Sequence, residues 1–185
     1  MLEVARHRPR AHSDEAELKF RLAGQAQHAR LRNRLRELGA QSLGSYDEEN
    51  IRFRPHRQQP VSLRLRVLDG GPGGILTTKA PARFERRIKI REETEVAVAD
   101  AATARELLVM LGHKMAFTYH KHRETWRLDG VDVTLDTLDF GAFCEVEGAV
   151  EVIEGVAKAL GLEPKRALKS SYAALARAHN RKKKS

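Results

Sequence analysis

Ionisable and apolar residues alternate along one stretch of this chain after another, and that alternation limits the fold more than any other feature. In Glu15-Ala16-Glu17-Leu18-Lys19 the charged residues hold every second position, with Ala16 and Leu18 between them. Successive side chains of a strand point to opposite faces, so Glu15, Glu17 and Lys19 share one face at a spacing of roughly 6.7 Å. In 61–67, Arg64 and Arg66 stand opposite Val61, Leu63, Leu65 and Val67. In 87–96 the alternate positions are Arg87, Lys89, Arg91, Glu93 and Glu95. Lys121 with Arg123, Asp132 with Thr134 and Asp136, and Glu145 with Glu147 repeat the pattern.

An antiparallel sheet with one dry and one wet face explains the alternation strand by strand. It explains the choice of residues less well. Like charges recur at i, i+2 in Glu15/Glu17, Arg64/Arg66, Glu93/Glu95, Lys121/Arg123 and Glu145/Glu147. Such pairs repel unless counter-charges or a ligand neutralise them. A sheet that curls into a barrel brings these faces together inside it. The cavity then offers basic side chains to phosphates and carboxylates to divalent cations. Mg²⁺ and Mn²⁺ take oxygen ligands, and Mg²⁺ joins a few carboxylates to substrate phosphates.

The rest of the chain fits a single α+β domain of 185 residues. Periodicity predicts helices at 25–38, 100–111, 151–160 and 164–179, the first three stopped by Gly39, Gly112 and Gly161. Strands are predicted at 14–22, 42–54, 61–68, 75–80, 86–98, 115–128, 131–138 and 143–150, with a hairpin at Asp129-Gly130. The glycine-rich run 70–74 lacks the Lys-Ser/Thr ending of a phosphate loop and opens no helix, so it reads as a flexible connection. A faint duplication pairs Glu15-x-Glu17 and its following helix with Glu93-x-Glu95 and its own.

The net charge of +9 implies an anionic partner. Part of it is a run at Arg181, Lys182, Lys183 and Lys184, read as a disordered basic tail over 180–185, and part lies in a leader over 1–13. Aromatic residues are only 5 % of the chain, which gives specific nucleic-acid binding little support. No apolar run is long enough to span a membrane and the N-terminus has no apolar signal core, so a cytoplasmic location is expected. The one cysteine, Cys144, excludes an intrachain disulfide and reads as a packing residue.

The alternating blocks also carry a resemblance. Glu15-x-Glu17-x-Lys19 is similar to the ExExK motif of the CYTH domain, the triphosphate tunnel metalloenzymes. Leu63-Arg64-Leu65-Arg66, Thr77-Thr78-Lys79, Arg91-Glu92-Glu93-Thr94-Glu95-Val96, Lys121-His122-Arg123-Glu124-Thr125, Leu135-Asp136, Gly141-x-Phe143-x-Glu145-Val146-Glu147 and Ser171-Tyr172 follow in the family's order. ExExK alone is a weak signal; the ordered set, spanning about 14–175 of a domain placed at 14–179, is a strong one. The blocks at 91–96 and 121–128 most resemble the class IV adenylyl cyclase branch.

The resemblance implies a closed eight-stranded antiparallel β-barrel, or tunnel, with peripheral helices. It implies an enzyme that uses Mg²⁺ or Mn²⁺ on ATP, inorganic triphosphate or thiamine triphosphate. The metal ligands would be Glu15, Glu17, Glu93, Glu95, Asp136, Glu145 and Glu147, directly or through water. Lys19, Arg64, Arg66, Lys79, Lys89, Arg91, Lys121 and Arg123 would contact the triphosphate. Glu15, Glu17, Lys19, Arg64, Lys121 and Asp136 would carry the chemistry. For Arg52 and Arg54, structural pairing is an equal expectation. A homodimer is implied by resemblance alone. One departure stands out: cyclase-branch members often carry His-Phe ahead of ExExK, where this chain has His12-Ser13-Asp14. Cyclisation of ATP to cyclic AMP and pyrophosphate is the leading expectation, hydrolysis of a triphosphate is the alternative, and a non-catalytic polyphosphate-binding module is a third reading.

Overall fold

A computed structural model of the chain describes residues 13–55 and 61–183. In chain order it contains β1 (Ser13–Leu22), α1 (Gln25–Glu37), β2 (Gln41–Phe53), β3 (Ser62–Leu68), β4 (Gly74–Lys79), β5 (Arg83–Glu85), β6 (Ile88–Val98), α2 (Ala101–Met110), β7 (Met115–Leu128), β8 (Val131–Leu138), β9 (Gly141–Glu147), α3 (Val150–Ala159), a 3-10 turn (Pro164–Arg166) and α4 (Tyr172–Lys182). The strand order is β1-β9-β8-β7-β2-β3-β4-β6-β5, and β1 also pairs with β6. That last pairing closes eight antiparallel strands into a β-barrel, with β5 as an extra strand beyond β6. The expected α+β barrel with peripheral helices is the fold.

Register places the alternation. Leu18 lies opposite Val146 and Phe20 opposite Cys144 in the β1–β9 ladder. On the other face of the same ladder Glu17 meets Glu147 and Lys19 meets Glu145. A slip of one residue would exchange the two faces, so burial of the apolar set fixes where every charge goes. The β7–β8 connection has Asp129 at φ 49 and Gly130 at φ 78, the left-handed pair that a type I′ hairpin requires.

The described residues cluster into two compact units. The first takes residues up to 15, 46–83 and 91–121; the second takes 16–45, 84–90 and 122 onward. The first buries Ile51, Phe53, Leu63, Leu65 and Val67 beneath Ala101 and Leu108 of α2. The second buries Leu18, Phe20, Val133, Leu135 and Val146 with Leu31 and Leu35 of α1 and Ile153, Val156 and Ala157 of α3.

The first three helices stop in the same way. Ala40 N–H donates to Leu35 O, His113 N–H to Leu108 O and Leu162 N–H to Ala157 O, each at 2.9 Å and each one residue beyond a glycine. These are Schellman closures, which require the left-handed residue that glycine supplies most cheaply.

Three predicted elements differ and one strand was not predicted: the strand expected over 143–150 is β9, which ends at Glu147 before α3 starts at Val150, and β5 lies between the strands expected at 75–80 and 86–98. The helix expected over 164–179 is a 3-10 turn followed by α4, because the Ser171 side chain caps a new helix by accepting from Ala174 N–H at 3.2 Å. The strand expected from 86 begins at Ile88, because Arg86 adopts φ 54 and turns the chain. α4 runs through Lys182, so Arg181 and Lys182 of the basic run are helical. His12, the basic residues 6–10 and Lys184 lie outside the described residues. No described helix is long and apolar enough to cross a membrane.

Candidate functional site

The first unit gathers a buried charge cluster from six strands. β3 supplies Arg64 and Arg66, and the adjoining β4 brings Thr77 beside Arg64. β6 brings Glu95 beside Thr77 and Glu93 beside Lys79. The Arg66 guanidinium lies 3.1 Å from Glu95 and 3.5 Å from Glu48 of β2. Lys121 of β7 lies 3.1 Å from the same Glu48. Arg64 approaches Glu95 at 3.7 Å and Glu93 at 3.9 Å, and it donates to Thr77 Oγ1 at 3.3 Å. Thr77 Oγ1 in turn donates to Glu95 at 2.8 Å. Lys79 Nζ stands 2.6 Å from Glu15 and 2.7 Å from Glu93.

Burial sets the electrostatics here. It opposes the charge on Arg64, but Tyr119, Glu93, Glu48 and Glu95 more than offset it and hold the guanidinium pKa above its ordinary value. Glu93 is pushed up to about 8, first by burial and then by a hydrogen bond with the Glu15 carboxyl, against the pull of Lys79.

The second unit holds a cluster of the same kind. Lys19 Nζ lies 2.7 Å from Glu145 and 3.4 Å from Glu17, and Lys89 Nζ lies 2.5 Å from Glu17. Arg123 grips Asp136 with two hydrogen bonds, Nε to Oδ1 at 2.7 Å and Nη2 to Oδ2 at 2.6 Å. Its Nη2 also donates to Glu145 at 2.5 Å. Asp136 is fully buried and further accepts the Tyr172 hydroxyl at 2.7 Å. Burial, with Asp136 and Glu145 nearby, raises the Tyr172 pKa well above its ordinary value and keeps it a donor.

The expected residues therefore divide. Glu15, Arg64, Arg66, Lys79, Glu93, Glu95 and Lys121 meet in the first unit; Glu17, Lys19, Lys89, Arg123, Asp136 and Glu145 meet in the second. Arg91 donates to the backbone carbonyls of Ala80 at 2.8 Å and Lys79 at 3.3 Å. Glu147 is half-buried opposite Glu17 on β1 and Asp132 on β8. Arg52 bonds the Ser62 hydroxyl, Arg54 is exposed, and Arg87 is exposed in the turn before β6. His120 and His122 are exposed. Cys144 is buried, and burial with Asp136 and Glu145 nearby pushes its thiol pKa up, which suits packing rather than nucleophilic chemistry.

Sequence reasoning missed Glu48, Asn50, Thr77 and Tyr172 as cluster members. Glu48-x-Asn50-x-Arg52 alternates against Ile51 and Phe53, so the same rule would have found the first two. Asn50 donates to Glu48 at 3.0 Å and receives Arg64 at 3.5 Å.

Among the described residues no three acidic, histidine or cysteine groups converge into a metal cage. The donor set nonetheless suits a hard divalent cation. Glu15 and Glu93 are held within hydrogen-bonding reach of one another, and Glu17 and Glu145 share Lys19. Mg²⁺ is commonly held by one or two carboxylates with substrate phosphates completing its shell, which asks for pairs rather than a cage.

Comparison with known proteins agrees with this fold. The CYTH domain model matches residues 13–171. A Methanocaldococcus jannaschii protein that bears the name of a proposed adenylate cyclase is 27 % identical over 153 residues, covering 75 % of this chain and 86 % of its own. The structure of a Pyrococcus horikoshii protein superposes with a TM-score of 0.75 at 26 % identity, over 87 % of this chain and 98 % of that one. A Hippeastrum protein, described as a proposed adenylyl cyclase with a dominant triphosphatase activity, shares the fold with a TM-score of 0.68 at 19 % identity, over 89 % of this chain and 96 % of its own. The chain belongs to the CYTH family, whose enzymes are adenylyl cyclases or triphosphatases that use divalent metals and triphosphate substrates.

Proposed function

We propose that this protein is a divalent-metal-dependent enzyme that cleaves a phosphoanhydride bond of a triphosphate, with ATP cyclisation to cyclic AMP and pyrophosphate as its reaction. The observation that carries the reading is the burial of lysines and arginines against carboxylates on strand faces opposite the two cores. Arg66 and Lys19 are each only 3 % exposed, yet each contacts two carboxylates. Such a set costs stability unless it serves a ligand. Lys79, Arg64, Arg66 and Lys121 in one cluster, and Lys19, Lys89 and Arg123 in the other, are donors that neutralise phosphate oxygens.

Glu15 with Glu93, and Glu17 with Glu145, would hold the cation, with Glu147 and Glu95 as further acidic contributors. When bound, the metal supplies charge neutralisation at the phosphates and orientation of the attacking oxygen. The chain's own groups do the rest. In the free protein each lysine is occupied by a carboxylate, as Lys79 is by Glu15 and Glu93. Were those carboxylates engaged by a cation, the lysines they hold would be free to turn to phosphate oxygens, so metal and triphosphate would strengthen each other's binding. In the cyclase reaction the ribose 3′-hydroxyl would attack the α-phosphorus and lose its proton to solvent, the bond from the α-phosphorus to the bridging oxygen would break, and pyrophosphate would leave with its charge held by arginine and lysine.

The name of the M. jannaschii relative supports cyclisation. Hydrolysis of inorganic, thiamine or nucleoside triphosphate is the second reading, favoured by the charged character of both clusters, whose cations recognise phosphate oxygens whatever they are attached to. Incubation with ATP and separately with inorganic triphosphate, each with Mg²⁺ or Mn²⁺, tests both readings by assay of cyclic AMP, pyrophosphate and phosphate. Cyclic AMP from ATP is the expected result, and replacing Glu15 and Glu17 by Gln should lower turnover by about 100-fold or more in a folded protein. Phosphate release without cyclic AMP moves the assignment to a triphosphatase, and inertness toward both substrates overturns the enzymatic reading.

A further inference from the structure

Ser171-Tyr172 belongs to the ordered blocks of the sequence, yet neither reading of the reaction gives it a task. Its placement does. Tyr172 is the first residue of α4, fixed there by the Ser171 cap. Its hydroxyl donates to Asp136 Oδ2 at 2.7 Å, on the carboxylate that Arg123 grips at both oxygens. Its ring lies beneath Lys19 Nζ, 4.3 Å from the centroid, a cation–π distance. Phe143 of β9 meets that ring edge-on at 5.2 Å, and Leu168 N–H, just ahead of α4, donates to Lys19 O at 2.7 Å, so the entry to α4 is held against both β9 and β1.

Asp136 thus receives three charge-assisted or hydroxyl donors while fully buried. A carboxylate engaged in this way serves better as an anchor than as a metal ligand. Its partner Arg123 keeps Nη2 directed to Glu145, the same carboxylate that Lys19 contacts. One tyrosine therefore touches both routes to Glu145: Asp136–Arg123 through its hydroxyl and Lys19 through its ring.

We propose that Tyr172 is a positioning residue that sets Arg123, through Asp136, and Lys19 in the geometry that receives phosphate oxygens, and that Asp136 is an anchor for Arg123 rather than a metal ligand. This rests on the triphosphate reading of the same residues, so its test needs a measurement that does not require turnover.

The test compares wild type, Tyr172→Phe, Arg123→Lys and the double variant as full-length chains. Affinity for inorganic triphosphate is measured by calorimetry without metal, and kcat and KM are measured with metal. Phe keeps the ring under Lys19 and removes only the hydroxyl, and thermal melts establish folding. Tyr172→Phe should weaken triphosphate binding by about tenfold, and in the Arg123→Lys background the same change should have no further effect. Exchange of the Arg123 Nε proton, followed by NMR, should quicken in Tyr172→Phe, and this readout serves even where a variant is only marginally stable. If neither the wild type nor any variant turns over ATP or inorganic triphosphate, the enzymatic reading fails while the binding cycle still judges Tyr172. Wild-type affinity in Tyr172→Phe, or a loss that adds in full to that of Arg123→Lys, overturns the proposal.

Discussion

Glu93→Gln tests how the first cluster stores charge. Burial and the neighbouring Glu15 carboxyl raise Glu93 from 4.5 to about 8 in the folded chain, although Lys79 lies 2.7 Å away. In the unfolded chain the group titrates near its ordinary value of 4.5. Below that pH both states hold the proton, and the contribution of the protonated carboxyl is whole. Between 4.5 and 8 only the folded state holds it, so stability falls by up to about 1.4 kcal/mol for each unit of rising pH. Above 8 both states are ionised and the loss is complete, at about 5 kcal/mol if Glu93 titrates alone. Glu15 and Glu93 share the hydrogen bond and titrate as a pair, which brings the expected loss to about 2–3 kcal/mol. Glutamine keeps the shape of the protonated acid and cannot ionise. Urea unfolding in the presence of a chelator, from about pH 5 to about pH 9, should find the variant and wild type nearly equal in acid. At the alkaline end the variant should be more stable by that 2–3 kcal/mol. A difference that is constant with pH, or that grows toward acid, would refute the assignment.

Packing makes two further predictions. A Cβ on Gly148 would lie 2.5 Å from Val131 Cγ1 and 3.2 Å from Val131 Cα, and Gly148 N–H is tied to Ala16 O at 3.1 Å. Gly148→Ala should therefore cost about 1–3 kcal/mol, and an unchanged thermal midpoint would sink that account. Leu35 of α1 is fully buried among β-strand side chains. Leu35→Ala should cost about 2–5 kcal/mol in chemical denaturation, and a loss below 1 kcal/mol would mean that the helix closes over the cavity.

Much of this was written in the alternation. A two-residue period on six stretches marked strands, and the charge choices marked their polar faces as something other than ordinary solvated surfaces. Glu17, Lys19 and Glu145 meet because Leu18, Val146 and Cys144 fix the register. The sequence was silent where partners come from distant segments. Nothing local to Tyr172 says that its hydroxyl reaches Asp136, and nothing in Glu48 names Arg66 and Lys121 as its partners. The predicted helix over 164–179 failed for a local reason: Ser171 offers the backbone a cap, and that competes with continuing a helix through it. Arg91 shows the limit of counting charges by parity, since a residue on the expected face can spend its guanidinium on backbone carbonyls.

The pairing of β1 has a consequence for how the chain comes to be folded. The first strand of the barrel closes on β6 and β9, and Glu17 waits for Glu147 on β9, the last strand of the barrel in chain order. While β2, β3 and β4 can zip as successive neighbours during synthesis, β1 leaves the ribosome long before its partners exist. Its apolar Ala16, Leu18, Phe20 and Leu22 and its unpaired backbone remain available until then. Closure over such sequence separation is slow, and the interval before it is when this chain is most open to chaperone capture or to pairing with another copy.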